Sequence, residues 1–108
     1  MVATDVAVQS NGKIIVAGYA DSVCALARLN PNGSLDTSFG GTNGFSPGFA
    51  GYGDCSFTGI AVRPDNRIVA VANQPDGVAV VSQFTASGLP DSGNFGSGAA
   101  VFISPASG

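Results

Sequence analysis

The chain has 108 residues, 44% of them hydrophobic and only 10% charged, with a net charge of -3 and no His or Trp. That length suits one ordinary domain with a small core. Its four cations, Lys13, Arg28, Arg63 and Arg67, are scattered, which excludes the basic patch a nucleic-acid site needs, and no run approaches the roughly 20 apolar residues of a membrane-spanning helix.

The chain begins MVATDVAVQS, with neither a basic start nor an apolar h-region. It is not a signal peptide, and an exported parent would carry its signal upstream. Short Val- and Ile-rich segments bounded by turn residues follow, and 16 Gly with 6 Pro leave little room for helix. The pattern predicts eight strands, at residues 3–9, 13–19, 23–30, 44–50, 58–63, 67–73, 78–85 and 99–104. Asn11-Gly12 predicts a type I′ hairpin turn, with Asp65-Asn66 as its weaker counterpart. Pro31-Asn32-Gly33 and Ala86-Ser87-Gly88 predict tight turns, and Asp76-Gly77 another reversal. Between Gly33 and Gly44 the chain reads as a turn-rich loop.

Cys24 and Cys55 are the two cysteines. They admit two readings. A bridge fits an exported, low-charge chain rich in Gly, Ser and Asn. The other reading is two free thiols, with Cys24 buried as a small hydrophobe.

The chain says nearly the same thing twice. Val6, Ala7 and Val8 fall on Ile60, Ala61 and Val62 with a shift of 54, Leu29 and Gly33 on Phe84 and Gly88 with 55, and Phe39 and Gly40 on Phe95 and Gly96 with 56. Such a period means stacked supersecondary units, none able to bury its apolar surface alone. The chain reads as one domain, residues 1–108, of two repeats, 5–58 and 59–108.

The strands carry a further message. Ile14-Ile15-Val16-Ala17-Gly18, Ile68-Val69-Ala70-Val71-Ala72 and Val78-Ala79-Val80-Val81 are apolar on both faces. A half-exposed strand would alternate. Without helices, the cover must be another sheet on each side. Blades of a β-propeller satisfy this, and the alternative is a two-sheet β-sandwich.

DVAVQSNGKIIVAG followed by ALARLNPNGSLDTSFG closely resembles the delta-60 repeat family, bacterial repeats of propeller-like character. Residues 5–44 match its pattern almost throughout. The copy at 59–96 matches more loosely, with Arg63-Pro64 for Gln9-Ser10, Gln83-Phe84 for Arg28-Leu29 and Leu89-Pro90 for Ser34-Leu35. The resemblance implies repeated four-stranded units in large, often surface-associated proteins, which favours an extracellular or cell-surface location. It implies no catalytic residues.

The expected fold is therefore all-β: two four-stranded antiparallel propeller-like blades, a partial β-propeller. Strands 44–50, 58–63, 67–73 and 78–85 make one complete blade. The first three strands lack a fourth, and strand 99–104 is left over to fill that gap. It would do so by ring closure or by crossing to a neighbouring molecule.

Chemistry is sparse. Without His or Glu no Ser-His-Asp set exists, and most acid–base and zinc schemes vanish. Asp36 and Asp91 recur in SLDTSFG and LPDSGNFG. They could be repeated calcium ligands, but an Asx-turn capping its own loop is the plainer reading, and no D-x-[DN]-x-[DN]-G loop accompanies them. Arg28 in an apolar strand snorkels or pairs with a nearby Asp, and Gln83 at its matching place weakens a repeat-wide role. Phe39 and Phe95 anchor their loops to the core, with a sugar platform as the sharper alternative. Tyr19 and Tyr52 are too isolated to weigh. The Asn32-Gly33-Ser34 sequon is a minimal pattern inside a turn.

These readings assign no catalytic, cofactor-binding or metal-binding residue. The expected function is a non-enzymatic scaffold or interaction module within a larger bacterial protein, meeting protein or glycan through its loops. It would associate with itself or with neighbouring repeats through blade faces and strand exchange. The other class is a fragment of a propeller enzyme with an Asp-lined metal site.

Overall fold

The computed structural model describes residues 1–21, 23–41, 44–46, 55–73, 77–93, 95 and 100–103. They form seven strands: β1 (Val2–Val8), β2 (Ile14–Ala20), β3 (Val23–Leu29), β4 (Ser56–Val62), β5 (Ile68–Asn73), β6 (Ala79–Phe84) and β7 (Ala100–Ile103). β1–β3 make one open antiparallel sheet and β4–β7 a second, each a meander in chain order. Tyr52, Asp76, residues 47–50 of the expected strand 44–50, and both ends of the expected strand 99–104 lie outside the described residues.

The second sheet repeats the first in register. Ile14 faces Leu29 where Ile68 faces Phe84. Val2 faces Tyr19 where Ser56 faces Asn73, and both first strands bulge at the same place, after Ala3 and after Phe57. The turns repeat as well. Gly12 N–H donates to the Gln9 carbonyl as Asn66 N–H donates to Arg63, and Gly33 to Asn30 as Gly88 to Thr85. In the first turn only Gly12 has positive φ, at 83°, and in its counterpart only Asn66, at 71°. The expected type I′ geometry, which needs two such residues, is therefore replaced by a turn that closes on one left-handed residue. Asn11 and Asp65 instead accept from the backbone N–H two residues on, at Lys13 and Arg67.

The fourth strands correct the expected strand count. Residues 44–46 do not join the second blade. Phe45 bridges Ala27, and Ser46 N–H donates to the Leu26 carbonyl at 2.9 Å, so this segment runs antiparallel along β3. β7 does the same along β6, with Ser82 facing Ala100. Each sheet is thus extended along its third strand by its own repeat, the second by the strand β7 and the first by a bridged stub at Phe45. In the first repeat this segment follows a 3-10 turn at Phe39–Gly41 in which Gly40 takes a φ of 71°, and it opens on Gly44 with a φ of 86°, left-handed positions that suit a chain turning back onto its own sheet.

The stacking separates blades from a sandwich. Ile15, Ala17, Cys24 and Leu26 share one face of the first sheet, here called its front. They are buried against Phe57, Ile68, Ala70, Ala72 and Phe84, with Ile60 and Val62 packed alongside. Those residues form the back of the second sheet, because the repeat counterparts of Ile15 and Ala17 are Val69 and Val71, on its other side. A sandwich of two-fold-related repeats would bring like faces together. Here front meets back, as in successive propeller blades. Phe57 and Phe84 meet edge to face at 6.0 Å between ring centroids. Cys24 and Cys55 form a disulfide across the junction, with Cα atoms 4.9 Å apart.

Candidate functional site

The strongest polar cluster lies at the turn end of the first sheet. It assembles because Lys13 immediately precedes β2, β3 carries Arg28 near its end, and the chain then folds back so that Asp36 N–H donates to the Arg28 carbonyl at 2.9 Å. Asp36 Oδ2 accepts from Lys13 Nζ at 2.7 Å and from Arg28 Nε at 3.0 Å. Its Oδ1 accepts from the Ser38 N–H at 3.1 Å and from the Ser38 hydroxyl at 2.6 Å, closing an Asx-turn. The Lys13 ammonium, then the Ser38 hydroxyl, hold the Asp36 carboxyl far below its ordinary value of 3.8. Burial opposes them, and the Ser38 N–H and Arg28 charge assist.

Arg28 carries this cluster into the junction. Its Nη1 donates to Gln9 Oε1 at 3.2 Å and to the Ala86 carbonyl of the second sheet at 2.9 Å. Gln9 Nε2 donates to the Asn66 and Ala86 carbonyls, both at 3.0 Å. The Arg28 guanidinium also lies 5.0 Å from the centroid of the buried Phe39 ring. On the same junction Gly40 N–H donates to the Ser87 carbonyl at 2.7 Å. Further along β1, Asp5 Oδ2 accepts from Ile60 N–H at 2.8 Å, and the Thr4 hydroxyl donates to the Phe57 carbonyl.

The second sheet repeats the cluster. Asp91 Oδ2 accepts from Arg67 Nε at 2.7 Å and Gln83 Nε2 at 2.9 Å, and Arg63 Nη1 donates to Gln83 Oε1 at 2.9 Å. Arg67 also pairs with Asp65. The Arg67 N–H first and that contact second lower the Asp65 carboxyl, while Asp65 first and Asp91 second raise the Arg67 guanidinium. Arg63, Asp65, Arg67 and Gln83 line an open cleft of about 160 Å³.

The structure thus brings Arg28, Asp36 and Phe39 together in one cluster. Asp91 sits in the second, Phe95 is half-buried, and Tyr19 lies in β2 opposite Cys24. Gln9, Lys13, Asn66 and Ala86 take parts that the sequence reading did not assign. Asp36 Oδ2 already receives Lys13 and Arg28, and Asp91 Oδ2 receives Arg67 and Gln83; no cluster of three or more metal-ligating side chains occurs among the described residues. The arrangement can tie strands together and carry one sheet onto the next.

Residues 9–39 match the profile of a family described as a β-propeller domain of unknown function (DUF5122). The match is propeller-like in kind. It runs from Gln9 to Phe39 and so spans the whole first cluster, both strands that build it and the aromatic ring beneath it. No curated protein and no solved structure matches the chain.

Proposed function

We propose that the chain is a non-enzymatic β-repeat scaffold, a pair of delta-60-type blades within a larger bacterial surface protein. Its frame holds loops at the turn end of the sheets, where a protein or glycan partner is met. The observation that carries this reading is the fate of Asp36. Both of its carboxylate oxygens are engaged by Lys13, Arg28 and Ser38, and Arg28 passes the tie to the next sheet through the Ala86 carbonyl. These groups act as mechanical links.

The test is thermal unfolding with and without calcium, on the wild-type chain and on Asp36→Asn. A link lowers the midpoint in the variant by the same amount in both conditions, and calcium leaves the wild type unmoved. A ligand carboxylate gives the opposite: calcium raises the wild-type midpoint by several degrees, because binding to the native state stabilises it, and Asp36→Asn abolishes that rise. This second pattern would overturn the scaffold reading.

A further inference from the structure

The junction inside the chain has one front and one back, and the chain carries one more of each. The outer back, on the first sheet, holds Val6, Val8, Ile14, Val16 and Leu29. Val6 and Val8 are 58% and 62% exposed. Their repeat counterparts, Ile60, Val62, Ile68, Ala70 and Phe84, form the buried back at the internal junction. The outer front, on the second sheet, holds Ala61, Val69, Val71 and Val81. Their counterparts Ala7, Ile15, Ala17 and Leu26 form the internal front.

We infer that the outer back of one copy of this chain docks on the outer front of a second copy, head to tail, by the geometry of the internal junction. This rests on the scaffold reading and names its partner.

The polar groups support the fit. At the internal junction, Gln9 and Arg28 donate to the carbonyls of Asn66 and Ala86. At the outer front the same places hold Arg63 and Gln83, which line the open cleft. At the outer back the places of Asn66 and Ala86 are held by Gly12 and Pro31. Gly12 keeps the left-handed φ of Asn66, 83° against 71°. A Cβ on Gly12 would lie 3.4 Å from the Pro31 side chain, so the two turns sit side by side. Thr58 supplies a third point. Its hydroxyl already donates to Val71 O, as Thr4 does to Ala17 O, and Thr4 also reaches the Phe57 carbonyl of the next sheet. The Phe57 counterpart in the second copy is Ala3.

Two ties are missing. Gly59 stands in place of Asp5, and Ala79 and Met1 in place of Cys24 and Cys55. The contact between copies is therefore non-covalent and depends on concentration.

Light scattering on the 108-residue chain tests this. Its mass should rise with concentration from 10.6 kDa to a multiple of that value. Val8→Asp spoils the outer back and Ala61→Asp the outer front, both at exposed positions. Each variant alone should stay monomeric, yet an equimolar mixture should form a one-to-one dimer through the intact back of one and the intact front of the other. Circular dichroism checks that both variants fold. A folded wild type that stays monomeric to about 1 mM, or variants that fail to pair when mixed, overturns head-to-tail docking. The calcium comparison is read separately, so a monomer would refute the partner without touching the scaffold.

Discussion

Arg28 and Gln83 hold the same register position in successive sheets but opposite roles. The Arg28 guanidinium donates to Gln9 at 3.2 Å, whereas the Gln83 carboxamide accepts from Arg63 at 2.9 Å. Each repeat keeps one Arg and one Gln and exchanges their strands. Arg28→Gln alone should destabilise the chain by about 3 kcal/mol, since it removes one member of a buried, charged network. Adding Gln9→Arg restores the pair in the order the second repeat uses, and Arg at position 9 inherits the Asn66 and Ala86 carbonyls. Urea unfolding of the two single variants and the double forms a cycle. Recovery of more than half the loss is expected, and simple additivity would refute the exchange.

Asp36 makes stability depend on pH with a definite sign. Its folded carboxyl lies far below the unfolded value of 3.8, chiefly through Lys13. A depressed carboxyl contributes stability that is fully present above the unfolded value. The contribution is lost as pH falls below 3.8 toward the folded one. Urea stability of the wild type should hold from pH 7 to about 5 and then fall. Asp36→Asn should start lower and show a shallower acid limb. Parallel acid limbs would mean that Asp36 contributes no such linkage.

The disulfide closes a loop of 31 residues and fastens the first sheet to the strand that covers it. The chain-entropy account assigns such a loop about 3.5 kcal/mol. Cys24→Ala with Cys55→Ala should lower the denaturant midpoint accordingly, with an added loss from the cavities. Reductant should shift the wild type and leave the double variant unmoved. A wild-type midpoint indifferent to reductant would contradict a stabilising bridge.

The strands were legible because β-branched runs between turn residues have few other conformations open to them. Eight segments were expected, and seven strands and a bridged stub occupy those places. The doubly apolar pattern of Ile14–Gly18 announced cover on both sides, and among the described residues each sheet receives it from the other on one side. Which sheet takes the segment near Phe45 was not legible. It depends on the left-handed backbone of Gly40 and Gly44, and many chain directions can follow a Gly-rich loop. The pairing of Cys24 with Cys55 depends on an approach of 4.9 Å that only the stacked sheets create. The Gln9–Arg28 and Arg63–Gln83 pairs were visible as two mismatches between repeats. They become one exchange only when the register sets the partners side by side.

Gly40 tests the loop that returns the first repeat to its own sheet. Its φ is 71°, and a Cβ there would fall 1.9 Å from the Phe45 carbonyl oxygen and 2.7 Å from the Ser46 Cα. Backbone cannot yield as a flexible side chain can. Gly33 is the control, with φ of 91° and nothing within 4 Å of an added Cβ. Gly33→Ala should cost only left-handed strain, about 1–2 kcal/mol. Gly40→Ala carries that strain and a clash that forces residues 44–46 off β3, so its loss should be clearly larger. Hydrogen exchange adds a local readout: the Ser46 amide, bonded to Leu26 at 2.9 Å, should lose protection in Gly40→Ala and keep it in Gly33→Ala. Equal losses in stability and protection would show that the close passage at Gly40 does not direct the fourth strand.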